Sequence, residues 1–97
     1  MMEIGYIIAS DQVVKDGLKI GYLYREDPDS EADSGWRVFS GEETQEYADD
    51  SSNFKMYNAS TILALDPQIG SLLGSVPPVS FERNEESGEF IELEEGD

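Results

Sequence analysis

The sequence predicts an α+β domain: a mainly antiparallel β-sheet with one short helical segment packed on it. Three observations carry that expectation. Short runs of β-branched and aromatic residues recur along the chain, punctuated by Gly, Pro, Asp and Ser. Helical spacing of apolar residues occurs once, in the second half. The 97 residues hold no internal repeat and no linker, which predicts one domain with residues 94–97 as a solvated tail.

Tyr6-Ile7-Ile8-Ala9-Ser10 is the first predicted strand, and Asp11 is placed to cap a brief turn that Asp16-Gly17 ends. Leu18 to Arg25 is the second strand. Its alternation puts Leu18, Ile20, Tyr22 and Tyr24 on one face and Lys19, Gly21, Leu23 and Arg25 on the other. Glu26 to Gly35 reads as a polar loop. Trp36 to Ser40 is the third strand, with Trp36 and Val38 on one face and Arg37 and Phe39 on the other.

Glu42 to Asn53 is a second acidic stretch, a loop or frayed helix with Tyr47 as its large apolar anchor. Phe54 to Asn58 alternates as a further strand. Ser60 is the expected N-cap of a short helix, Thr61 to Leu65, which Asp66-Pro67 ends. Pro67 opens another turn that stops at Gly74, and Ile62, Leu65, Ile69, Leu72 and Leu73 make one stripe to bury. Pro77-Pro78 is extended. Val79–Arg83 and Glu89–Leu93 are the strands of a hairpin around Asn84–Gly88.

The charge asks whether such a chain folds at all. It carries 22 acidic against 6 basic residues, a formal net charge of −16. That approaches the composition of disordered chains. Against it stand 23 residues of Leu, Ile, Val and Phe, above the roughly one-fifth floor for folded domains, with five Tyr and Trp36 besides. The domain folds, with a heavily acidic surface.

Composition excludes several function classes. With no Cys and no His, the chain has no disulfide, thiolate metal site, Cys or His nucleophile, or imidazole proton shuttle. Its surface repels nucleic-acid phosphates and anionic membranes. Neither a cationic leader nor a spanning run of apolar residues is visible, so a cytoplasmic location is expected. Composition leaves the oligomeric state open.

Motif searches return little chemistry. The loop after Asp27 has acids on alternate positions, but an EF-hand register from Asp27 puts Ala32 at the glycine position and Val38 at the glutamate position. A start at Asp29 fails the same way, with Ser34 and Ser40 there, so no metal or other cofactor is expected. Ser10, Ser40 and Ser80 lack an activating base, and no glycine-rich phosphate loop occurs. Close carboxylate pairs arise from acid density alone, so no catalytic residues and no enzyme activity are expected.

The acids are clustered. Five lie in Glu26–Asp33 (Glu26, Asp27, Asp29, Glu31, Asp33), five in Glu42–Asp50 (Glu42, Glu43, Glu46, Asp49, Asp50) and eight in Glu82–Asp97. The first two flank the Trp36 strand. If both segments leave the sheet at one edge, they form a continuous negative face, with Trp36 either in the core or as a partly exposed anchor. A charge of −16 exceeds what solubility needs and suits a basic partner. Arg25, Arg37 and Arg83 are each expected to pair with neighbouring carboxylates. Tyr22, Tyr24, Tyr47 and Tyr57 read equally as core or interface rim.

The segment Gly35-Trp36-Arg37-Val38-Phe39-Ser40-Gly41 resembles a known family. With Ala9-Ser10-Asp11, Gly21-Tyr22-Leu23-Tyr24-Arg25-Glu26, Asn53-Phe54, Asp66-Pro67 and Phe81-Glu82-Arg83, it is similar to the Imm33 type of predicted bacterial immunity protein, once a domain of unknown function. The likeness runs over residues 4–93 and departs at Pro77-Pro78. It implies a role in polymorphic toxin systems, in which an immunity protein binds and neutralises a cognate toxin, and it carries over no catalytic residue.

The leading expectation is therefore a non-enzymatic protein-binding module that caps a basic toxin. Carboxylates of the first two clusters would occupy the toxin's cations, and Trp36 or nearby Tyr residues would anchor it. The alternative is a cytosolic regulatory or structural domain with no toxin partner.

Overall fold

The computed structural model describes residues 5–28 and 30–93, so the expected tail at 94–97 and Asp29 lie outside the described residues. Six strands occur there: β1 (Tyr6–Ser10), β2 (Tyr22–Arg25), β3 (Asp33–Phe39), β4 (Phe54–Tyr57), β5 (Val79–Arg83) and β6 (Phe90–Leu93). They join in one sheet of order β4-β1-β3-β2-β5-β6. Only the β1–β3 pair is parallel; the other four pairings are antiparallel. This is the expected α+β architecture.

Helices are short and more numerous than expected: α1 (Asp11–Val14), α2 (Gln45–Asp49) and α3 (Ala59–Leu65), with 3₁₀ turns at Ser51–Asn53 and Pro67–Ser71. Their caps shift by a residue or two from the sequence expectation. Ser10 rather than Asp11 caps α1, its Oγ accepting from the Gln12 N–H at 3.1 Å. Ser60 lies inside α3, which follows Asn58. Asp66 ends α3 and caps the next turn by accepting from the Gln68 N–H.

Strand register fixes which side chains share a face. On one face stand Ile7, Ala9, Leu23, Trp36, Val38, Val79 and Phe81, all buried. Val13 of α1, Ile62 of α3, and Ile69 and Leu73 in and after the second 3₁₀ turn close over them, with Ile20. Each such aliphatic side chain contributes about 1.5–3 kcal/mol by leaving water. Trp36 is 0% exposed, stacks on Phe81 at 6.2 Å and donates its Nε1–H to the Leu73 carbonyl at 3.2 Å.

Two strand boundaries differ from the expectation. The second strand begins at Tyr22, not Leu18, because the backbone at Gly21 passes so close to Ser40 that a Cβ would lie 2.2 Å from its carbonyl oxygen. Ile20 therefore turns into the core while Tyr22 and Tyr24 stay on the other sheet face; the four residues expected together are split. The third strand starts at Asp33, inside the expected loop. Between Asp33 and Arg37 it advances four residues while β1 advances two, from Tyr6 to Ile8, so β3 carries a bulge centred on Gly35.

Candidate partner-binding face

The bulge is built from the sequence Asp33-Ser34-Gly35-Trp36. Gly35 adopts φ +87°, and a Cβ there would lie 2.2 Å from the Glu26 carbonyl oxygen, so only glycine fits. Side chains take up backbone groups that the ladder releases. Asp33 Oδ1 accepts from the Gly35 N–H at 2.9 Å and Ser34 Oγ accepts from the Trp36 N–H at 3.1 Å. Ser34 Oγ also donates to the Tyr6 carbonyl at 2.6 Å. The shortened strand brings Arg37 within reach of Asp33 on the second sheet face.

Arg37 anchors that face. Its Nη1 and Nη2 donate to the two Asp33 carboxylate oxygens at 2.9 Å each, and its Nε donates to Glu26 Oε2 at 2.8 Å. Hydrogen bonding to Asp33 raises the Arg37 pKa further, outweighing the opposing effect of burial. Around it the rings of Tyr22, Tyr24, Phe39 and Phe54 form a connected set with centroids 5.5–5.9 Å apart, and Tyr47 of α2 packs edge-on against Phe54 at 6.1 Å. Burial first, and the Glu26 charge second, raise the Tyr24 pKa.

This second face has thin cover. The segment carrying α2 crosses it at one end, and α2 has no buried residue. Between α2 and the sheet runs a groove of about 640 Å³ lined by Ile8, Tyr24, Arg37, Phe39, Ala48, Asp49, Phe54 and Met56 among others. Met56 is 65% exposed and Ile91, across the sheet, 50%. The face thus offers aromatic rings, a thioether and aliphatic surface to solvent, with its central cation already neutralised.

The sequence-selected residues fall into distinct environments. Trp36 is wholly buried on the opposite, helix-covered face, so of its two expected roles the core one holds and the partner anchor falls: an anchor must be exposed. Asp33, 3% exposed, is committed to Arg37 and the bulge. Glu26 is half exposed beside Tyr24. Asp27 and Glu31 are exposed in the loop before β3, and Asp29 is not among the described residues. Glu42, Glu46 and Asp49 are exposed in the segment after β3.

Glu43 and Asp50 serve the backbone. Burial pushes the Glu43 pKa up, but the Ser40 and Gly41 N–H groups, at 2.8 and 2.9 Å, and the Ser10 hydroxyl outweigh it and hold it below the ordinary value. The Ser52 hydroxyl and N–H lower the Asp50 pKa.

The condition for a continuous face of the first two clusters, that both segments leave the sheet at one edge, is not met, although Asp49 lines the groove with Arg37, the partner of Glu26. Those segments leave β3 at its two opposite ends, about 13 Å apart at about 3.3 Å per residue of β1, whose five residues the bulged β3 matches. Arginine pairing also differs at one position. Arg37 and Arg83 bind carboxylates, of Asp33 with Glu26 and of Asp66. Arg25 instead donates to the carbonyls of Ser34 and Ser75 and lies 5.8 Å over the Trp36 ring. Its strand register points it to the helix-covered face, where carbonyl oxygens are the acceptors at hand.

Sequence reasoning left the Tyr22, Tyr24, Phe39 and Phe54 set unassigned. Its signal was a strand with bulky residues on both sides, Tyr22 and Tyr24 against Leu23, which implies that both sheet faces carry apolar surface. Among the described residues no three His, Cys, Asp or Glu stand together to hold a metal ion, and no helix is long and apolar enough to cross a membrane.

Fold and face together define a small α+β domain with α1 and α3 on one side of its sheet and, on the other, an aromatic surface that α2 covers at one end. The family model described as the Immunity protein Imm33 domain matches residues 7–94, and the chain belongs to that family. No curated protein and no solved structure matches the chain.

Proposed function

We propose that this domain is a cytoplasmic, non-enzymatic immunity protein that neutralises a basic bacterial toxin by covering its cationic surface. Family membership supports the immunity role. The observation that carries the mode of binding is the second sheet face, where exposed apolar side chains lie among carboxylates on a chain of net charge −16. Apolar contact supplies residence time, and the charge speeds encounter with a basic partner. Of the first two acidic clusters, Glu26, Asp27, Glu31, Glu42, Glu46, Asp49 and Asp50 retain the exposure such a role requires.

Affinity capture from the native lysate at low and high salt, followed by expression of the captured protein, tests the proposal. The expected partner is basic, arrests growth when expressed alone and is harmless when co-expressed with this domain. A captured partner with no toxicity contradicts the immunity role. Capture unchanged at molar salt contradicts the electrostatic mode.

A further inference from the structure

The sheet topology brings Glu42 of the second acidic cluster and Glu82, Glu85 and Glu86 of the third, rather than the first and second clusters, to one end of the thinly covered face. Register aligns Tyr22 with both Phe39 and Glu82, so the chain after β3, the chain before β2 and the β5–β6 turn all leave the sheet together. They enclose a broad depression of about 1030 Å³ whose walls include Glu42, Glu82, Glu85, Glu86 and the exposed Ile91. Glu82 belongs also to a smaller hollow with Tyr22 and Phe39, which joins the depression to the aromatic set.

The cations there do not cancel this charge. Arg83 donates to the Ile20 and Gly88 carbonyls and is paired with Asp66, which leaves Lys19 at the rim against four glutamates. A second copy of this chain is a poor occupant, because it would bring −16 against −16. Charge complementarity selects a lysine- and arginine-bearing protein surface.

We infer that the toxin docks on the β2–β5–β6 half of the thinly covered face, with Tyr22 and Ile91 as apolar contacts and Glu42, Glu82, Glu85 and Glu86 as receivers of its cations. The Asp27–Glu31 loop, at the opposite end of β3, lies outside the footprint. This assignment rests on the immunity reading and specifies where that reading acts.

The test is amide chemical-shift mapping of the ¹⁵N-labelled domain with a synthetic Lys/Arg peptide containing one phenylalanine, at about 150 mM salt where exposed charges are screened beyond about 8 Å. Glu82→Gln/Glu86→Gln is compared with the equal-charge control Asp27→Asn/Glu31→Gln. All four side chains are exposed, so both variants keep the fold.

The expected result is saturable shifts at residues 20–23, 40–42, 80–86 and 90–92, with about tenfold weaker binding for the first variant and less than about twofold change for the control. Shifts confined to residues 26–32, lost in the control variant, overturn this placement and leave the basic-partner reading standing. No saturable shift even at about 20 mM salt overturns both.

Discussion

Arg37 and Asp33 stand four residues apart on one strand, yet their side chains meet in a two-pronged ion pair at 2.9 Å. An unbroken strand would separate their Cα atoms by about 13 Å. The bulge at Gly35 closes that gap and sets a neutralised guanidinium under the aromatic face. The two carboxylates on Arg37 should therefore differ in worth. Asp33→Asn leaves a buried cation half-paired and should cost about 3 kcal/mol in urea unfolding. Glu26→Gln, at a half-exposed partner, should cost less than about 1 kcal/mol. Equal losses would mean that the pair does not hold the bulge.

Gly35→Ala tests the bulge directly. The added methyl meets the Glu26 carbonyl oxygen and the residue must keep a positive φ, so the loss should reach at least about 2 kcal/mol. A variant as stable as the parent would show that the strand runs straight there.

Much of this was legible in the sequence, and the gaps have physical causes. The six strands announce themselves by β-branched and aromatic runs, and the last hairpin by its polar turn. The start of β3 was hidden because Asp33, Ser34 and Gly35 carry loop chemistry; here that chemistry satisfies a bulge inside a strand. The grouping of acids was hidden because it depends on strand order. Nothing local to Tyr6–Ser10 says that it pairs parallel to β3, or that β2 then sits between β3 and β5.

Trp36, the single tryptophan, makes the core optically visible. Acrylamide should quench its fluorescence weakly in the free protein and no differently in the bound one, and Trp36→Ala should cost about 3–5 kcal/mol. Efficient quenching that disappears on partner binding would restore the residue as an anchor.

Glu43 predicts a pH signature. Its folded pKa lies below the unfolded value of about 4.3, so its contribution is complete above that pH and is lost as pH falls through the folded pKa. Stability of Glu43→Gln, measured between about pH 5 and pH 2.5, should therefore fall less steeply than that of the parent. Parallel curves would remove the proposed capping role.

The association rate of the domain with its captured toxin, followed by stopped flow from about 20 to about 500 mM salt, tests the basic-partner proposal most directly. A fall of at least about tenfold is the predicted result. A rate that stays flat across that range would contradict it.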